Sequence, residues 1–309
     1  MPLTMNPFRA LIQRCPRRSA MYDRLSPRLF DVSLRDGIQN ASPDKYTTEY
    51  KKQIFHRIVE EESPSAIEIG SIVSPKVLPI MKDSLELYDY AKTYLESTER
   101  YTTTELYLLI PSLSRLNEAI GSGVTHFSFI TSISEAFQLK NTKKNLSETK
   151  RELKQMSHLI STVYLDYRQK LYVSCVNRCP LVGAIDNDFV VRELLHYHTD
   201  YHFDEICLSD TCGTLTFEDF EYVADTLLFF GMPASKISVH LHVDDTNALE
   251  IRQILRYCFS KNIHRFDISM LTSGGCSVTM AKSQCLPNLT YDLFYECLLA
   301  EMDKDVSSG

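Results

Sequence analysis

The chain has 309 residues, 44% of them hydrophobic and 24% charged, with 10 glycines, 9 cysteines and a formal net charge of −7. No run of roughly 18 apolar residues is present to span a bilayer, and an acidic chain is a poor default partner for nucleic acid. Glycine at about 3% of residues, against ~7% in an average protein, leaves little material for a Gly-rich phosphate cradle.

The first 22 residues carry Arg9, Arg14, Arg17 and Arg18 and no acidic residue. Two readings stand. An Arg-rich, acid-free start is the pattern of a mitochondrial targeting segment, or it is a basic arm that packs on or trails from the domain behind it. Residues 1–28 are therefore read as an N-terminal extension and 29–309 as a single domain, located in the cytoplasm or the mitochondrial matrix.

From residue 29 onward, short β-rich runs alternate with helical stretches. The predicted strands are 29–34, 66–69, 105–110, 126–130, 171–175, 205–208, 237–242 and 265–270. Predicted helices between them include 48–61, with Ile54, Phe55, Ile58 and Val59 on one stripe, and 147–170, with Leu153, Met156, Leu159, Ile160 and Val163. A third, 216–230, opens on a capping Thr and stops at Gly231, and a fourth covers 247–261. The Lys/Glu-rich stretch 140–154 reads as a solvated helix start. Eight β-α units over about 280 residues predict a (β/α)8 TIM barrel. A doubly wound open sheet would want a Gly-rich first turn, where Gly37 stands alone.

The nine cysteines are scattered and form no CxxC pair, which predicts reduced intracellular thiols and neither a disulfide framework nor a structural zinc site. Cys175 and Cys179 read as two strand-end thiols or as a loosely ligand-like pair. The sequons at Asn40, Asn145 and Asn288 are read as accidental.

Barrel enzymes place their reacting groups where strands end. Those ends carry Arg35-Asp36-Gly37, Glu68 with Ser71, Tyr172 with Ser174 and Asn177, Ser209-Asp210-Thr211, His240-Leu241-His242, and Gly274-Gly275-Cys276. Strand residues two apart point the same way, so both imidazoles of His240 and His242 can aim inward. Barrel closure brings Asp36 within two strands of them. Two His and a carboxylate with open positions suit Mg²⁺, Mn²⁺ or Zn²⁺; the alternative is two His in ordinary polar barrel contacts. Arg35 would be a fixed cation for a developing enolate or a substrate carbonyl, or else the partner of Glu68 or Asp210. Those two carboxylates could orient the metal ligands. Cys276, behind two glycines, is a proton donor or nucleophile, or a plain loop thiol.

These residues resemble a family. Asp31-Val32-Ser33-Leu34-Arg35-Asp36-Gly37-Ile38-Gln39-Asn40, Ile67-Glu68-Ile69-Gly70-Ser71-Ile72-Val73-Ser74-Pro75-Lys76, the HxH pair and the Gly-Gly-Cys loop are similar to 3-hydroxy-3-methylglutaryl-CoA lyase. So are Ser132-Ile133-Ser134-Glu135, Lys140-Asn141, Tyr172-Val173-Ser174-Cys175 and Ser209-Asp210-Thr211, and the likeness runs in order from Leu29 to Leu298. It implies a carbon–carbon lyase of leucine degradation and ketone-body metabolism, acting on an acyl-CoA by retro-Claisen cleavage, in a chain that can form a homodimer. Asp36, His240 and His242 would bind Mg²⁺, Mn²⁺ or Zn²⁺, with Asn288 or Cys285 as a fourth ligand. Arg35 would polarise the acyl oxygen, His240 would help take the hydroxyl proton, Glu68 and Asp210 would orient the metal shell, and Cys276 would protonate the acetyl-CoA enolate. Gln39, Ser71 and Tyr172 would contact the substrate.

The chain departs from the family in two places. Val243-Asp244-Asp245-Thr246 replaces the usual Asp-Thr followed by Gly, and the glycine-rich stretch that delivers a metal-binding Asn is replaced by residues 280–287. Two alternatives rest on these changes: a related aldolase or acyl-CoA condensing enzyme with another acceptor, and a catalytically degenerate barrel kept for binding.

Overall fold

The computed structural model describes residues 5–98, 103–275, 280–281, 283 and 285–307. Eight parallel strands close into a barrel: β1 (Arg28–Asp31), β2 (Ala66–Ser71), β3 (Glu105–Leu109), β4 (His126–Ser132), β5 (Arg168–Ser174), β8 (Glu205–Ser209), β9 (Ile237–His240) and β10 (Arg265–Ile268). A small antiparallel hairpin, β6 (Arg178–Cys179) with β7 (Gly183–Ala184), lies in the loop after β5. Around the barrel run α3 (Thr48–Arg57), α4 (Ser84–Ser97), α5 (Leu113–Gly121), α6 (Glu135–Thr142), α7 (Leu146–Val163), α8 (Asn187–Asp200), α9 (Phe217–Phe229), α10 (Ala248–Ser260) and α11 (Tyr291–Ser307). The fold is the (β/α)8 barrel that the sequence predicts. β1 pairs with β10 on one side and β2 on the other, and β10 pairs with β9, so Asp36 stands two strands from the histidines.

The main apolar core lies between the strands and the helix ring, where Phe127, Phe129, Leu194, Ile254 and Phe294 are fully buried. Phe30, Val32, Ala66 and Tyr107 form a smaller, separate apolar plug. Beyond this plug the barrel interior is polar, and that polar column carries the site.

Three predicted strands run two or three residues past the ends of the real ones. β1 ends at Asp31 because its carboxylate accepts the Ser33 N–H (2.8 Å), turning the chain into a π-helical turn over Ser33–Gly37. β9 ends at His240, and His242 is joined only by an isolated bridge to Asn288. β10 ends at Ile268. The predicted helix 147–170 stops at Val163, because residues 168–170 already belong to β5 and pair with β4. Its start is set by an Asn145 capping box closed by Glu148.

Before β1, α1 (Pro7–Arg14) and α2 (Pro16–Leu25) pack against the barrel instead of trailing from it. Ile12 is buried, the Asn6 amide donates to Glu62 Oε1 and Asp292 Oδ1 (both 2.9 Å), and Arg18 pairs with Asp303 at 2.9 Å. Among the described residues no disulfide is present; Cys175 and Cys179 are buried together beside Phe137, and the Ser134 hydroxyl donates to the Cys179 sulfur. Among the described residues no helix is long and apolar enough to cross a membrane.

Candidate active site

The site begins at the π-helical turn after β1. Its extra residue per turn, closed by Gly37 N–H donating to Val32 O at 3.0 Å, puts Arg35 and Asp36 side by side over the barrel mouth, both buried. Arg35 Nη1 lies 2.7 Å from Asp36 Oδ1 and Nε lies 2.5 Å from Glu68 Oε2. The sequence alternative of an Arg35–Glu68 pair is therefore present. Glu68, fully buried on β2, also accepts from the Ser128 hydroxyl and from Tyr172 OH (3.2 Å), and the Arg35 guanidinium stacks 5.0 Å from the Tyr172 ring centre. A guanidinium with three fixed neighbours costs little to reorganise when charge appears in front of it.

Asp36, His240 and His242 converge: one ligand atom from each lies within 4.8 Å of the others, and all three residues are buried. The two imidazole centres stand 4.9 Å apart, edge to face. His240 Nδ1 sits 3.1 Å from Asp267 Oδ2, and His242 Nδ1 donates to the Asp210 carbonyl oxygen at 2.7 Å. Burial would push Asp36 up, but the adjacent Arg35, helped by His242 and His240, holds it well below the usual carboxylate range. Burial pulls His242 down, and the Asp36 carboxylate 3.7 Å away reverses this, so its pKa is raised.

Asn288 joins the same cluster. Its amide nitrogen lies 3.0 Å from Asp36 Oδ2, and its backbone bridges to His242. Gly274 makes room for it, and Gly275 supports Asp36. A Cβ on Gly274 would come within 2.6 Å of the Asn288 amide, and Gly275, at φ +81°, aims its N–H at Asp36 Oδ2 (3.0 Å). His242 Nε2 and Asn288 Oδ1 are buried without a hydrogen-bond partner in the described structure. Two adjoining orphans beside a depressed carboxylate make a donor set of imidazole and oxygen that fits a divalent cation.

The other predicted residues divide. Gln39 belongs to the cluster, donating to Asp36 Oδ1 (2.8 Å) and to the Gly275 carbonyl (2.6 Å). Tyr172 belongs through Glu68 and Arg35. Ser71 is buried at the end of β2, but its hydroxyl donates to Leu109 O at 3.0 Å. Asp210 bonds to the site through its backbone carbonyl, while its carboxylate accepts the N–H groups of Thr214 (3.0 Å) and Leu215 (3.2 Å); burial raises its pKa. Cys285 is part-exposed, directs its thiol to the Ala281 carbonyl (3.6 Å), and lines a cavity of about 390 Å³ at the mouth with Gly37, Tyr46 and Ser273. It is not among the clustered ligands. Cys276 lies outside the described residues. Sequence reasoning missed Asp267 and Lys170, which sit in strand interiors, where the search for polar strand ends does not look.

Comparison with known proteins adds the family. A profile described as HMGL-like matches residues 26–249. The chain is 29% identical over 273 residues to the hydroxymethylglutaryl-CoA lyase of Bacillus subtilis (strain 168), covering 88% of this chain and 85% of that one. It is 26% identical over 268 residues to the mitochondrial hydroxymethylglutaryl-CoA lyase of Macaca fascicularis, covering 87% of this chain and 77% of the other. The crystal structure of the HMG-CoA lyase from Brucella melitensis superposes with a TM-score of 0.74 at 22% identity, over 90% of this chain and 91% of that one, which speaks for the fold.

Proposed function

The chain belongs to the HMGL-like family of carbon–carbon lyases, and from that membership we propose that it cleaves 3-hydroxy-3-methylglutaryl-CoA, or a similar 3-hydroxyacyl-CoA, to acetyl-CoA and acetoacetate with a divalent cation. The observation that carries this reading is the buried Asp36–His240–His242 cluster with two orphaned donor atoms beside it. We assign the cation to Asp36, His240, His242 and Asn288, with Mg²⁺ or Mn²⁺ the ions best suited to a site with two oxygen ligands and Zn²⁺ a further fit. When bound, the ion supplies Lewis-acid stabilisation for the substrate's oxygens.

The chain's own residues supply the rest. Arg35, clamped between Glu68 and Asp36, presents a fixed positive charge to the acyl oxygen as the carbon–carbon bond opens. Tyr172 walls the guanidinium from solvent. Gln39 ties the Gly275 backbone to Asp36, holding the loop over the site. His240 has one nitrogen to offer, Nε2, since Nδ1 is engaged with Asp267. One atom cannot hold a cation and accept the hydroxyl proton at once. We assign it to the cation, which removes His240 as the base while the metal is bound. The proton donor to the departing enolate is assigned by resemblance to Cys276.

Purified protein loaded with Mn²⁺ or Mg²⁺ should release acetyl-CoA and acetoacetate from 3-hydroxy-3-methylglutaryl-CoA, and excess chelator should stop the release. A metal-replete preparation that yields no acetyl-CoA sinks this substrate assignment.

A further inference from the structure

Below Asp36 and the two histidines, the barrel interior holds a second group of charges that the lyase reading does not use. Lys170, on β5, is 1% exposed. Its ammonium lies against Asp267, 2.9 Å from Glu205 Oε1, 3.7 Å from the centre of the Phe30 ring and 4.8 Å from that of Tyr172. A buried ammonium is tolerated only with partners of opposite charge, and this one has two. Asp267, also 1% exposed, gives Oδ1 to Lys170 and Oδ2 to His240 Nδ1 at 3.1 Å, with the Cys207 sulfur 3.8 Å from Oδ2.

The hydrogen-bond inventory fixes the direction of that last contact. A carboxylate ion-paired to an ammonium is an acceptor only, and so is a backbone carbonyl. His240 Nδ1 must therefore carry the proton it shares with Asp267, as His242 Nδ1 must for the Asp210 carbonyl. In each ring Nε2 is then the nitrogen left for a further ligand, and that of His242 lies 3.7 Å from Asp36 Oδ2. We infer that Asp267, held in place by Lys170, is a positioning residue: it selects the Nδ1–H tautomer of His240 and so prepares Nε2 to bind a cation. The pair acts through His240 and never meets substrate. This inference rests on the metal reading above, and the tautomer can be measured without any metal.

In metal-free protein carrying ¹⁵N-histidine, a two-bond proton–nitrogen spectrum, with His240 identified by loss of its signals in His240→Ala, should show the Nδ1–H form. Titration with Mn²⁺ alone should show about 10–100-fold weaker binding for Asp267→Asn. Because that variant leaves Lys170 with Glu205 as its one carboxylate partner, the charge-neutral double variant Lys170→Met/Asp267→Asn is the companion. It should melt close to the wild type in chelator yet keep the weakened affinity. An Nε2–H form of His240 with Nδ1 unprotonated in the wild type overturns the inference, as does wild-type Mn²⁺ affinity in either folded variant. If both variants fail to fold, the wild-type tautomer alone decides. A wild-type chain that binds no Mn²⁺ defeats the metal reading instead.

Discussion

Asp36 is bonded from four sides: Arg35 Nη1 (2.7 Å) and Gln39 Nε2 (2.8 Å) on one oxygen, Gly275 N–H and Asn288 Nδ2 (both 3.0 Å) on the other. A carboxylate this well supplied stays ionised, and its removal leaves Arg35 and two imidazoles facing one another. Asp36→Asn should lower Mn²⁺ affinity by more than the ~10–100-fold typical of an outer partner and should abolish acetyl-CoA release, measured by titration and by coupled assay. The fourth ligand separates two neighbours in the chain. Asn288→Ala should weaken Mn²⁺ binding by about tenfold or more, whereas Cys285→Ser should leave it unchanged; the reverse pattern would return the ligand to Cys285. Sequence spacing left this pair open because the insertion before Asn288 can be counted two ways. The backbone bridge between Asn288 and His242, a contact between distant segments, is what singles out the residue.

At the scale of elements, the N-terminal helices sit over two buried carboxyls. Glu62 receives the Asn6 amide at 2.9 Å and faces Arg9, Asp31 and Asp292, while Asp31 accepts from Tyr291 OH (3.0 Å) and the Ser33 N–H. Burial pushes each up to about 7. Removing residues 1–25 would expose the seat of Ile12, worth about 1.5–3 kcal/mol of burial, so the truncated protein should melt several degrees lower while keeping its Mn²⁺ affinity. Unchanged melting would mean the arm is not part of the stable fold. Both carboxyls titrate near about 4 once unfolded. Between about pH 4 and 7 the folded chain thus holds protons that the unfolded chain has lost, and stability falls as pH rises through that window, then levels off. Glu62→Gln should flatten this fall in a series of melts from pH 5 to pH 8. Equal slopes for variant and wild type would show that Glu62 titrates normally. The basic composition of residues 1–22 shows a helical arm as readily as a targeting segment; only its contacts with α11 and with Glu62 show that it docks.

Across the whole molecule, the parts readable from sequence are those set by local period. The eight strands, the capped helices and the inward HxH pair follow from alternation and 3.6-residue spacing, and the order around the barrel follows from closure. Lys170 was hidden because the amphipathic pattern of α7 runs on past Val163, so a residue that faces inward from β5 reads as a helix end. Asp267 was hidden because its value lies in a partner on β9 and a counter-ion on β5, neither near it in sequence. The four proposed ligands show the same non-locality: they come from the turn after β1, the end of β9 and the segment before α11, nearly the full length of the chain apart. A cation held by all of them would tie the first and last β-α units together across the barrel mouth. Binding to the folded chain alone stabilises it by about 2.7 kcal/mol at a hundredfold excess over Kd, which for a domain of this size is a rise in Tm of about 5 °C. Mn²⁺ should raise the wild-type Tm by that amount and leave Asp36→Asn unmoved. An equal rise in the variant would mean that the ion binds elsewhere and that the barrel mouth closes without it.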